Sequence, residues 1–400
     1  MTLPLIVRRS LRQHALSTCV TALSIALAGG LLMSVWMVKD QAHAAFTQMQ
    51  SGFDAVLGPR SAKLQLVLNS IFHLEDSPGT LAWTDYEQIK ANGAVAVALP
   101  IAVGDNYRGF RLVGTTTNLF TQVEYAPGRR YRAAQGEAFA AGHAEAVVGS
   151  FAARRLGLKV GDSFHPYHGL IFDEKQQHAE TYVVVGILEP SNTPADRVIW
   201  IPLAGLQNMQ GHDAKAAADV SAVLVKLSTA AAGRSLDTLY NKQGNRLTFA
   251  WPVARIMAQL FDKIAWFDRV LALVAYLVAL VATASVLASI YNSMNERRRD
   301  IAILRALGAR ARTIFCAVVL EAAAIATLGM AAGFAVYAAI LAGVASVIRA
   351  ETGVVLNPLA FHPVLLWAPV AMIGLSALGG MVPAWKAYRT NVAENLSPVS

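Results

Sequence analysis

The chain has 400 residues, of which 55% are hydrophobic and only 15% charged, and a net charge of +8. Water-soluble globular chains carry about 25% charged residues, so an ordinary soluble protein is excluded and a membrane protein is the first class to test. Cys19 and Cys316, its two cysteines, both fall in or at the edge of apolar runs, which excludes a disulfide-stapled outer domain.

In chain order, the segment 1–16 carries Arg8, Arg9 and Arg12 ahead of a first apolar run, Ser17–Val38. That run has the roughly 20 residues a membrane helix needs. Ala42-His43-Ala44 resembles a signal cleavage site, but the apolar stretch exceeds the roughly 7–15 residues of a signal core. Residues 17–38 are therefore expected to remain as a first membrane helix.

Residues 39–262 form an extracytoplasmic domain in this reading. Strand-like runs recur at Ala94–Leu99, Arg111–Gly114, Ala146–Val148, Tyr182–Leu188, Val198–Ile201 and Ala222–Leu227, with helical stretches at Thr84–Asn92 and Ser150–Leu158. A mixed α+β domain follows. Gly58-Pro59-Arg60-Ser61 reads as a turn into a helix over 64–69, either packed under the domain or offered to a substrate or adaptor. His165, His168 and His178 have a spacing that a metal could use. With no cysteine and no carboxylate directly beside any of them in the chain, they read better as surface histidines in a loop.

A second apolar run, Val270–Ile290, sits in a stalk and membrane helix at 263–292, followed by a polar stretch at 293–312. The third, Ile314–Ile348, lies in 313–348 and is longer than one crossing needs. It is expected to tilt, bend near Gly329 and Gly333, or project as a stalk. A short outer turn at 349–363 leads to a fourth helix at 364–383 and a tail at 384–400.

Charge sets the orientation. Arg8, Arg9 and Arg12, then Arg297, Arg298, Arg299, Arg305, Arg310 and Arg312, then Lys386 and Arg389, face only Glu296, Asp300 and Glu394, and this surplus equals the whole net charge of +8. Residues 39–262 carry 20 residues of each sign. Positive residues near span ends mark the cytoplasm, so both termini and the 293–312 segment are expected inside. A nucleic-acid-binding protein would carry its basic stripe on the soluble domain, and none is expected as a partner.

Within 293–312, Ile301, Leu304 and Leu307 recur at helical spacing and Gly308 is a natural C-cap. Such a helix either lies against anionic headgroups or docks its apolar face in a groove of a soluble partner. Spacing alone leaves both open.

The stretch Glu296-Arg297-Arg298-Arg299-Asp300-Ile301-Ala302-Ile303-Leu304-Arg305-Ala306-Leu307-Gly308-Ala309 resembles the signature segment of the FtsX/MacB-type ABC transporter permease family. The tail from Pro383-Ala384-Trp385-Lys386-Ala387 to Leu396 is similar to that family's ending, and the arrangement of one helix, a large domain and three helices is shared. The resemblance implies an α-helical membrane protein with four transmembrane helices and a two-lobed α+β MacB-like periplasmic core domain, its small β-rich lobe at about 115–190.

It also implies that Glu296, Arg297, Arg298, Arg299, Asp300, Ile301, Leu304, Arg305, Leu307 and Gly308 contact a separate ABC ATPase, present in two copies, that binds ATP and Mg. Glu321 sits where the family often has a Glu, either pairing with Arg310 or Arg312 or acting as a latch between subunits. A second permease chain, identical or homologous, and a periplasmic adaptor or lipoprotein are the other implied partners. The implied setting is a bacterial inner membrane.

No Gly-x-x-x-x-Gly-Lys-Ser/Thr, Gly-x-Ser-x-Gly or His-Glu-x-x-His occurs, so no catalytic, cofactor or metal site is assigned to this chain. The expected function is mechanotransmission from the ATPase to the outer domain, for export, efflux or lipoprotein release. Two other classes stay open, a scaffold that activates a cell-wall hydrolase and a ligand sensor.

Overall fold

The computed structural model describes residues 3–47, 52–142, 144–170, 172–209, 218–296, 303, 305, 306, 308–352, 355–357 and 360–388. They form two units, one of Met1–Gln41, Ile264–Ser346 and Asn357–Ser400 and the other of Ala42–Lys263 and Val347–Leu356.

Among the described residues, four helices are long and apolar enough to cross a membrane: Ala15–Thr47, Val253–Glu296, Ala311–Thr352 and Val364–Tyr388. At 1.5 Å per residue the second and third are each about 65 Å long. That is roughly twice the hydrocarbon thickness. A short amphipathic helix, Leu3–Gln13, precedes them.

The third helix runs unbroken through Gly329 and Gly333. These glycines lie on a packing seam with the first helix. A Cβ on Gly329 would stand 2.8 Å from the Ala22 carbonyl oxygen, and one on Gly30 would stand 2.7 Å from the Val336 Cβ. Lipid offers no hydrophobic drive between helices, so close backbone approach at small residues holds them together. Ser17 and Ser289 add a hydrogen bond of 2.8 Å between the first and second helices. On the fourth helix Trp367 and Trp385 stand about 27 Å apart along the axis, the separation of the two aromatic belts of a bilayer.

The second unit is built on strands β1 (Ala55–Pro59), β2 (Val95–Tyr107), β3 (Phe110–Thr115), β4 (Glu124–Ala126), β5 (Arg129–Arg130), β6 (Ala133–Gly136), β7 (Glu145–Val148), β8 (Ser163–Phe164), β9 (Tyr167–His168), β10 (Tyr182–Leu188), β11 (Ile199–Pro202), β12 (Ala222–Leu227) and β13 (Leu247–Ala250). The main sheet runs β13-β1-β12-β2-β3-β11-β7-β10-β6, with β8 on β10 and β9 on β2, while β4 and β5 pair separately. β3 with β11 and β7 with β10 are parallel; the other pairs are antiparallel. The stretch at about 115–190 supplies β4 to β10 and joins the rest through β7 on β11 and β9 on β2, so it shares one continuous sheet with the remainder of the domain.

Side chains alternate between the two faces of a strand, and here both faces are buried. Leu57, Ile199, Ile201, Val223, Val225 and Phe249 enter one core. Val56, Leu99, Val113, Trp200 and Leu224 enter the other. The helix Lys63–Ser70 presses Leu66 and Val67 into the second core. Sequence reading placed a turn at Gly58-Pro59, whereas both residues lie within β1. Pro59 is its last residue, where a missing N–H does little harm.

Candidate functional site

The sheet domain is held at three roots. β1, which follows the first membrane helix, is the neighbour of β13, which precedes the second, with Val56 opposite Ala250 and Leu57 opposite Phe249. The Val253 N–H donates to the Asp54 carbonyl at 3.1 Å, and the His43 and Phe261 rings meet at 5.4 Å. The base of the second helix is itself core, since Val253, Ile256 and Met257 are buried against the sheet. The first two helices thus leave from adjacent strands.

The third root is the last turns of the third long helix. Arg349 lies 5.9 Å from the Phe151 ring centroid, Phe151 lies 6.3 Å from Phe110, and Arg197 lies 5.8 Å from Phe110. Guanidinium groups at these distances are held by the ring quadrupole. Burial pushes the Arg197 guanidinium below its usual range, and the opposite charge of Glu351 works against that. Phe151 is positioned by the turn before it. A Cβ on Gly149 would stand 2.4 Å from the Asp196 carbonyl oxygen, so only glycine lets the β7-to-helix turn approach the Pro194–Arg197 turn so closely.

Of the residues singled out for ATPase coupling, Arg297, Arg298, Arg299, Asp300, Ile301, Leu304 and Leu307 lie outside the described residues. Glu296 ends the second long helix. Arg305 is helical, and Gly308 has a φ of +98° and donates its N–H to the Arg305 carbonyl at 3.0 Å. That is the left-handed helix terminus read from the sequence. Glu321 accepts a hydrogen bond from the Ser10 hydroxyl of the short N-terminal helix, a partner that sequence reading had not considered.

Among the loop histidines, His165 and His168 are exposed, as read, but His178 is buried. The carboxylate that His168 and His178 face is not one from their own segment but Asp105, on β2. Phe110, Phe151, Arg197, Arg349 and Glu351 were also missed. Their only sequence signal is the pairing of charge with aromatic residues across distant segments.

Two family models match the chain, the MacB-like periplasmic core domain over residues 18–238 and the FtsX-like permease C-terminal region over 272–392. The chain belongs to the FtsX/MacB-type ABC permease family. It is a multi-pass membrane permease with an extracytoplasmic MacB-like domain, not a catalytic chain. No curated protein matches it. Among solved structures it is similar to the extracellular domain of the noncanonic ABC-type transporter YknZ from Gram-positive bacteria, at 16% identity over 48% of this chain and 97% of that one, with a TM-score of 0.31. It is also similar to the periplasmic region of MacB from Actinobacillus actinomycetemcomitans, at 12% identity over 53% of this chain and 94% of that one, with a TM-score of 0.35.

Proposed function

We propose that this permease is a mechanical transmitter. A separate ATPase, bound in two copies to a pair of permease chains, displaces the cytoplasmic segment at 295–308. The second and third helices carry that displacement to the extracytoplasmic sheet, which opens and closes on a substrate already outside the inner membrane.

The observation that supports this reading is the pattern of roots. The second helix enters the sheet core through Ile256 and Met257 beside the β1–β13 edge, while the third ends on Phe151, several strands away. Helices attached at different places on one sheet strain it when they move relative to each other. A closely packed interior passes such strain on instead of absorbing it.

The test is purification from its native membrane in mild detergent, followed by reconstitution with whatever ATPase co-purifies. Leu304→Asp and Leu307→Asp should abolish ATP hydrolysis coupled to the permease while the outer domain stays folded. Recovery of no ATP-binding chain, or hydrolysis that survives both substitutions, would defeat the reading.

A further inference from the structure

The buried carboxylate of Asp105 has no place in the transmission path. Its side chain is 0% exposed, and two imidazoles converge on the same oxygen. His168 Nδ1 and His178 Nε2 each lie 3.3 Å from Asp105 Oδ1. The ligand atoms of all three residues lie within 4.8 Å of one another. A carboxylate removed from water is costly unless a positive charge or hydrogen bonds compensate it.

We propose that Asp105, His168 and His178 form a binding site for a late first-row divalent cation, Zn²⁺ foremost. The distances fit such an ion. Zn²⁺ takes imidazole nitrogen and carboxylate oxygen at about 2.0–2.2 Å in tetrahedral geometry, which sets ligand-to-ligand edges of roughly 3.3–3.5 Å. Both oxygen-to-nitrogen edges already have that length, so only the separation of the two nitrogens remains to be adjusted. His168 is about half exposed, so a fourth ligand position there faces water. Two imidazoles and one carboxylate favour zinc, copper or nickel over calcium and magnesium, which prefer an all-oxygen shell.

The backbone holds the three side chains in place without a metal. Asp105 and His168 are directly opposed in the β2–β9 pairing, as are Asn106 and Tyr167. The buried Asn106 side chain donates to the Gly169 carbonyl at 2.9 Å. Returning from the loop, the chain bridges Gln177 to Tyr167, and the His178 N–H donates to the Pro166 carbonyl at 2.9 Å. Ligands on a rigid scaffold pay little to assemble around an ion. A bound cation would clip the small lobe's loop to the long central strand β2.

The test uses the full chain, purified in detergent with a tag free of histidine, stripped with a chelator and titrated with Co²⁺, whose visible bands report tetrahedral coordination. The expected result is one Co²⁺ per chain with those bands, displaced by Zn²⁺. His178→Ala and Asp105→Asn should weaken binding by roughly tenfold or more, and His165→Ala should leave it unchanged. The exposed His168→Ala decides the matter if either buried substitution disturbs folding. Absence of tetrahedral bands in the wild-type chain, or binding that His168→Ala leaves intact, would overturn the site and reduce the cluster to hydrogen-bonded histidines on a carboxylate.

Discussion

In the sheet domain the large apolar side chains point inward, and in the membrane unit many of them point outward. Phe249 and Leu57 are fully buried, whereas Leu280 and Val281 are 64% exposed and Val370 is 71% exposed. Small residues make the closest contacts inside the bundle, with Gly30 against Gly333 and Val336, and Gly380 against Ala322. One alphabet of residues is used in opposite ways because the solvents differ. Water drives apolar area inward, while lipid is indifferent to it and rewards close backbone contact.

The sharpest way to break this comparison is to make comparable truncations in the two units. Phe249→Ala empties a fully buried site in the sheet core and should cost about 3–5 kcal/mol, read as a lower thermal midpoint of the outer domain by tryptophan fluorescence. An unshifted midpoint would mean that the core does not hold the sheet.

Acid should separate the units next. Burial, aided by the charges of Arg111 and Arg197, pushes the His73 imidazole from 6.5 down to about 3. A depressed histidine costs nothing above pH 6.5, where it is neutral in both states. Between about 6.5 and 3 the unfolded chain gains a proton that the native chain refuses. Stability is therefore lost as pH falls through that window, by at most about 1.4 kcal/mol per unit. His73 has a φ of 57°, which asparagine tolerates, so His73→Asn should flatten the decline of the domain's midpoint between pH 7 and pH 5. An unchanged slope would remove His73 from the account.

The smallest effects belong to the bundle. Gly30→Val should cost about 1–3 kcal/mol by overpacking, whereas Leu280→Ala should stay within about 0.5 kcal/mol, both measured as residual monomeric protein after heating in detergent. Equal sensitivity at the two positions would show that the seam carries no special load.

Much of this architecture was legible in the chain itself. The four apolar runs and the strands at Tyr182–Leu188 and Ala222–Leu227 stood out because hydrophobic periodicity is a local signal. β1 did not, since Ala55–Pro59 contains Gly and Pro. Contacts between distant segments leave no periodic mark. His168 finds Asp105 only through strand register, and Arg349 finds Phe151 only through tertiary packing. Gly308 was legible because a left-handed terminus demands a particular residue.

The adjacency of β1 and β13 has a consequence for how such a protein can be remodelled. Paired residues such as Val56 and Ala250 stand only about 5 Å apart at Cα, so everything from one to the other is an excursion that returns to its starting point. An outer module exchanged between these two points keeps the spacing of the first two roots, while the third root, Arg349 on Phe151, has to be rebuilt with it.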